Sequence, residues 1–325
     1  MKIVIVTVPL GHSHGGLPPF GALAVIQSLR TAGYAPYLYD LDALRLSEDK
    51  IKDFFLRYRP DVIGISAVVS TSYAFIKKLC LWLKKELPGT RIIVGGSMTA
   101  SAEILLRFSK VDVCVHSEGE YTVRELLHYY EKNIDEDNQE ELKKIKGILY
   151  LDKRNNLVNS GFRSQLQVDE ISDPDYTILE KYSNINLFIK EPTPEYFSHD
   201  RRSNELIQKG KKEGFVMASK GCVARCSFCH RSYKGYRQLP PERIIGRIKY
   251  LMDRYDVGFV VFSDECFGAD KKRTSLHGSI KKIKYLMACW RSSLQFRVKK
   301  NSLGMERFRL CSSSVWHGIR QRQDS

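Results

Sequence analysis

At 325 residues and 43% hydrophobic, the chain has room for two ordinary domains with sizeable cores, and no apolar run approaches the length of a membrane span. The net charge of +15 suggests nucleic acid, but +12 of it lies in residues 271–325, which carry 14 Lys and Arg against Glu306 and Asp324. The first 270 residues hold only +3 and show no basic face with interleaved aromatics, which argues against a nucleic-acid partner.

Met1 to Val8 lacks the cleavage site of a signal peptide and reads as a first strand. The eight cysteines then point to reduced thiols in the cytoplasm. Short apolar runs follow in alternation with amphipathic stretches, the pattern of a parallel sheet covered on both faces. Strands are expected at Lys2 to Val8, Tyr34 to Leu41, Asp61 to Ser66, Arg91 to Val94 and Val111 to Val115. Helices are expected near Phe20 to Thr31, Glu48 to Tyr58, Ser72 to Glu86, Ala100 to Phe108 and Tyr121 to Glu131. Ligands of such sheets sit at the C-terminal strand ends. Those ends carry Leu10 to Gly16, Ser66 to Thr71, Gly95-Gly96-Ser97 and Ser117-Glu118-Gly119-Glu120.

A first domain is therefore expected over residues 1–135 and a charge-rich linker over 136–213. Asp135 to Glu141 reads as a solvated run or an acidic helix start, and Ile145 to Asp152 can add an edge strand. A second domain begins at Gly214, where Gly214 to Ser219 forms a buried strand. The loop leaving it holds Cys222, Cys226 and Cys229 in a C-x₃-C-x₂-C spacing. Three thiolates on one tight loop can hold a 4Fe–4S cluster with one iron left open, whereas a structural zinc site closes on four ligands, here with His230 as the fourth. Pro240 to Tyr255 is an amphipathic helix with Pro241 at its start, and Val257 to Ser263 a strand ending in Asp264-Glu265-Cys266-Phe267. Cys266 reads as a small buried hydrophobe.

C-x₃-C-x₂-C after a first barrel strand, with aromatic Phe228 before the third cysteine, resembles the radical S-adenosylmethionine enzymes. That resemblance implies that Cys222, Cys226 and Cys229 ligate a 4Fe–4S cluster and that Phe228 lies near the adenine of S-adenosylmethionine. Glu265, at the acidic end of the second barrel strand, would orient S-adenosylmethionine; a helix N-cap is the structural alternative for this pair of acids. A reductant such as flavodoxin or ferredoxin is implied as partner.

The first domain narrows the resemblance. Leu17-Pro18-Pro19-Phe20-Gly21-Ala22-Leu23, Pro60 to Ser66, Val94-Gly95-Gly96-Ser97 and Ser117-Glu118-Gly119-Glu120 are similar, in that order, to the cobalamin-binding domain fused to many such enzymes. Paired glycines let a corrinoid's nucleotide tail approach the backbone, and Ser66, Ser70 and Thr71 offer it hydroxyls. Gly95, Gly96, Ser97, Ser117, Glu118 and Gly119 complete the expected cobalamin set. Corrinoid mutases use an Asp-x-His-x-x-Gly loop whose histidine binds cobalt. Here Leu10-Gly11-His12-Ser13-His14-Gly15 lacks the orienting aspartate, so His12 and His14 are expected to be solvated and cobalt to have no protein imidazole.

Beyond about Arg273 the strand–helix alternation stops, with only two barrel strands legible. The fold class expected is α/β, a doubly wound Rossmann-like cobalamin-binding domain followed by an incomplete radical S-adenosylmethionine (β/α) barrel, with barrel residues 214–274 and a basic tail 275–325. That tail is expected to be read in a shifted frame: one choice of codons for Phe308 to Ser325 reads, one base on, as SGCVVVVYGMESGSGKT, similar to a later barrel strand. The expected function is cobalamin-dependent radical chemistry that methylates an unreactive carbon of an unknown small molecule. A non-catalytic corrinoid-binding fragment is the second expectation, and a zinc-stabilised binding protein the third.

Overall fold

A computed structural model describes residues 1–11, 16–133, 138–197, 202–224, 229, 235–267 and 286–289. The chain divides into two compact units, the first built on Met1–Leu187 and the second beginning at Phe188.

The first unit opens with β1 (Ile3–Thr7), every residue of which is buried, as expected of a central strand covered on both faces. It continues through α1 (Phe20–Thr31), β2 (Tyr37–Asp40), the short α2 (Leu41–Leu44), α3 (Glu48–Tyr58), β3 (Val62–Ser66) and α4 (Tyr73–Glu86). β4 (Arg91–Gly95), α5 (Ala102–Ser109), β5 (Val113–Val115) and α6 (Glu120–Lys132) complete the alternation. The sequence states why α3 stands where it does. Glu48 and Asp49 face the positive N-terminal end, Arg57 the negative end, and Arg59 in the left-handed region closes the helix just before Pro60. Sheet order is β2-β1-β3-β4-β5, all parallel, so the chain reverses its winding direction between β1 and β3. That crevice is where open α/β sheets take their ligands.

The expected 1–135 boundary is too short. After α7 (Gln139–Lys144), β6 (Ile148–Leu151) adds antiparallel to β5 and β7 (Leu157–Asn159) antiparallel to β6, giving seven strands. α8 (Thr177–Tyr182) packs beside β2, with Tyr182 against Tyr37 at 4.7 Å between ring centroids. Just after it, the Ser183 hydroxyl donates to Asp40 Oδ2 at 2.5 Å. Much of the supposed linker is thus part of the first core, since the open edge of β5 must be paired.

The second unit contains α9 (Pro194–Phe197), α10 (Arg202–Gln208), β8 (Lys212–Val216), β9 (Ser219–Gly221), β10 (Tyr236–Gln238), α11 (Pro241–Tyr255), β11 (Val257–Phe262) and β12 (Leu286–Cys289). β8, β11 and β12 form a parallel sheet in the order β12-β11-β8, and β9 and β10 a small antiparallel ladder. α11 starts on Pro241 and buries Ile244, Ile248 and Leu251, one stripe at helical spacing, across β8 and β11. Glu213, fully buried on β8, accepts from Thr193 N at 2.7 Å and faces Lys190 Nζ at 3.9 Å, tying the segment before the sheet to its first strand. A third parallel strand corrects the expectation of only two: Leu286–Cys289 pairs with β11 in register. The rest of the 275–325 tail lies outside the described residues.

Candidate functional site

In the first unit the loops after β1, β3, β4 and β5 meet at the C-terminal ends of the strands. The loop after β3 is stitched to its neighbours by its own hydroxyls. Thr71 Oγ1 donates to the Leu10 carbonyl at 2.8 Å and Ser72 Oγ to the Pro9 carbonyl at 2.7 Å, closing the loop after β1 onto it. From the other side Ser97 Oγ donates to the Val68 carbonyl at 2.9 Å, and Met98 N to the Ala67 carbonyl at 3.1 Å. Asp42 and Arg45 hold the first loop from α2's side, through Leu10 N at 3.0 Å and the Gly11 carbonyl at 2.7 Å.

Gly96 is required by this arrangement. Its φ of +95° suits glycine, and a Cβ there would sit 2.4 Å from the Ala67 carbonyl oxygen. Gly95 differs: a Cβ there would meet nothing closer than 3.9 Å, so its missing side chain leaves open space at the strand end. Ser66, Gly95, Gly96, Ser97, Ser117 and Gly119 are half-buried along this rim, while Ser70 and Thr71 are exposed. Glu118 is buried and its Oε2 accepts from Leu166 N at 2.7 Å, so it anchors the segment after β7. His12 and His14 lie outside the described residues.

In the second unit a small hairpin ladder leads into Cys222. β9 and β10 pair Gly221 with Tyr236 and Ser219 with Gln238, which brings the backbone at Gly221 close to that at Gly235. The pinch is tight: at Gly221, with φ of +88°, a Cβ would lie 2.2 Å from the Gly235 carbonyl oxygen. Cys222 follows immediately, half-buried, with Ala224 N donating to its Sγ at 3.4 Å. Burial raises its thiol pKa; the Ala224 amide opposes this, while the neighbouring Cys266 thiol and Glu265 add to it. Cys266 is buried as expected, but against Cys222, which the sequence did not suggest. Cys229 is exposed, and Cys226, Phe228 and His230 lie outside the described residues. Among the described residues no three His, Cys, Asp or Glu side chains converge as a metal site.

The two acids after β11 face different ways. Glu265 is exposed. Asp264 is 2% exposed and accepts from Ala218 N at 3.2 and 3.1 Å and from the Ser219 hydroxyl. Burial raises its carboxyl to about pKa 6 against those hydrogen bonds, which pull it down.

The donor chemistry suits the implied groups. Cys222 and Cys229 are the reachable thiols on the loop, whereas Cys80 and Cys114 are buried in the first core and their thiols are pushed up by burial, Cys80 to about 12. The glycine-lined rim of the first unit leaves space beside hydroxyls for a polar tail. Two units are thus defined, a flavodoxin-like sheet with a ligand rim and a parallel α/β unit whose β9 leads into Cys222.

Known proteins share this pairing. Residues 6–127 match the family model of the B12 binding domain. An anaerobic magnesium-protoporphyrin IX monomethyl ester cyclase of Cereibacter sphaeroides is 26% identical over 276 residues, 82% of this chain and 41% of that protein. An uncharacterized methyltransferase of Pyrococcus horikoshii is 29% identical over 287 residues, 84% of this chain and 55% of that protein. The cobalamin-dependent S-adenosylmethionine radical enzyme OxsB, solved with aqua-cobalamin and S-adenosylmethionine bound, superposes with a TM-score of 0.64 at 19% identity, over 89% of this chain and 38% of its own. The radical S-adenosylmethionine methyltransferase TsrM of Kitasatospora setae, with cobalamin and a 4Fe–4S cluster bound, gives 0.58 at 15% identity over 87% and 51%. Residues 6–127 thus match a B12 binding domain, and the fold of the chain is similar to that of solved cobalamin-dependent radical S-adenosylmethionine enzymes. The chain spans 41% and 55% of the length of these two curated relatives. No helix among the described residues is long and apolar enough to cross a membrane.

Proposed function

We propose that the chain carries out cobalamin-dependent radical S-adenosylmethionine chemistry, with methyl transfer to an unactivated carbon as the reaction. The observation that carries the reading is a B12 binding domain followed by a β9–β10 ladder that presents Cys222, the first cysteine of the C-x₃-C-x₂-C run. Cys222, Cys226 and Cys229 would hold a 4Fe–4S cluster, and the rim of Ser66, Ser70, Gly95, Gly96 and Ser117 a cobalamin tail. Bound there, these groups would supply the electron that cleaves S-adenosylmethionine to a 5′-deoxyadenosyl radical and the methyl group that is transferred.

The chain's own residues contribute placement. Gly221 and Gly235 let the loop base close, and Thr71, Ser72 and Ser97 lock the rim. Glu265, exposed after β11, would meet the amino group of S-adenosylmethionine, while Asp264 is committed to the foot of the hairpin.

The test is anaerobic reconstitution with iron and sulfide, then a chemical reductant, S-adenosylmethionine and hydroxocobalamin. Formation of 5′-deoxyadenosine supports radical chemistry. Iron uptake without 5′-deoxyadenosine, beside normal corrinoid binding, would establish a non-catalytic corrinoid-binding protein instead. The relatives named as cyclase and as methyltransferase divide on reaction type, and the appearance of S-adenosylhomocysteine alongside 5′-deoxyadenosine marks methyl transfer.

A further inference from the structure

Cys222 follows directly on β9 of the small β9–β10 ladder. Whatever fixes the foot of that ladder sets where Cys222 is presented. The foot is fixed from three sides. Leu239 N donates to the Ala218 carbonyl at 2.9 Å, Arg247 Nη1 donates to the Met217 carbonyl at 2.5 Å, and Asp264 takes both Ala218 N and the Ser219 hydroxyl. The last is the anchor that comes from the sheet. Asp264 follows β11 directly, where Ser263 N bonds to the Val216 carbonyl at 3.1 Å, so its carboxylate carries the register of β8 and β11 into the hairpin. A buried carboxylate costs free energy unless it is fully used, and at 2% exposure this one is used on the backbone and hydroxyl three to four residues before Cys222.

We infer that Asp264 is the positioning residue of the cysteine loop: with Ser219 it forms a latch that holds the foot of the hairpin so that Cys222 is presented in one place for metal binding. The inference rests on the cluster reading above, yet it concerns the protein before any metal arrives. Asp264→Asn keeps the shape but replaces one carboxylate oxygen by an amide donor, which meets the Ser219 hydroxyl and the Ala218 amide less well. Ser219→Ala removes one hydrogen bond and keeps the carboxylate.

The experiment uses the full chain. In the metal-free protein, the rate of Cys222 alkylation by iodoacetamide, read by mass spectrometry, should rise several-fold in Asp264→Asn and less in Ser219→Ala, while labelling of the buried Cys80 stays slow. After reconstitution, iron loss to a ferrous chelator should report at least about tenfold weaker holding in Asp264→Asn, in the range seen when groups supporting metal ligands are removed. The cluster's electron paramagnetic resonance signal should broaden in both variants. Unchanged Cys222 labelling, with iron held as tightly as in the parent, would overturn the latch. Should Asp264→Asn fail to fold, shown by fast Cys80 labelling, Ser219→Ala alone decides by the same measures. If the parent takes up no iron, the cluster reading fails, and the alkylation comparison still tests the latch.

Discussion

Ser183 donates its hydroxyl to Asp40 Oδ2 across 143 positions of sequence, and the same carboxylate accepts from Thr7 Oγ1 on β1 and from Ala43 N. One buried aspartate therefore joins the central strand, the start of α2 and the segment after α8. The first unit is completed only when residue 183 is in place.

A protein of residues 1–187 should accordingly unfold in a single urea transition and bind hydroxocobalamin. One of residues 1–135 lacks β6, leaving the β5 edge bare, and should aggregate. Size-exclusion chromatography compares them; a monomeric 1–135 with the same unfolding midpoint would contradict this domain boundary.

Gly96→Ala places a Cβ against the Ala67 carbonyl and asks alanine to adopt a φ of +95°. The backbone term alone is about 1–3 kcal/mol, and the contact adds to it. Urea unfolding should report that loss, and hydroxocobalamin retention on a desalting column should fall with it. Ser70→Ala, at an exposed position, should leave stability unchanged and weaken corrinoid retention only.

Asp264 titrates near 6 in the folded chain against 3.8 for a free aspartate, its burial favouring the protonated form. Its contribution to stability is complete below about pH 4 and is lost as pH rises through 6, a swing on the order of 3 kcal/mol for about two pKa units. The urea midpoint of the second unit should therefore decline from pH 4 to 6 through this group. Asp264→Asn should flatten that decline, and superimposable profiles for the two proteins would show that the carboxyl titrates elsewhere.

Replacing Cys222, Cys226 and Cys229 together should abolish iron uptake and the brown colour of the reconstituted protein. Cys80→Ala and Cys114→Ala should retain both, because those thiols lie in the core of the first unit. Full colour in the triple variant would place the ligands on other cysteines.

The five parallel strands and their helices were legible because each is a dense apolar run followed by a helical stripe. β7 was not, since Leu157–Asn159 is three residues, mostly exposed, and leaves no hydrophobic signature. β12 was hidden for another reason: Leu286–Cys289 lacks β-branched residues and follows a basic stretch that reads as surface. At the site, the glycines and cysteines announced themselves by spacing. The latch did not, because Ser219 and Asp264 are 45 residues apart and each looks ordinary alone. Glu118 shows the converse, a carboxylate in the expected loop whose partner, Leu166 N, lies 48 residues on.

The pairing of β8 with β11 fixes an order of events during synthesis. Cys222 leaves the ribosome well before Asp264, and parallel strands cannot pair until the crossover between them, here including α11, has been made. The loop is closed late, at an entropic cost set by the intervening chain. Until then the cysteines are on an unanchored segment, able to meet stray metal or oxidant. On the cluster reading proposed above, iron delivery would become productive after the strand that ends at Phe262 has docked, and a pause before that point would lengthen the interval in which the thiols stand unguarded.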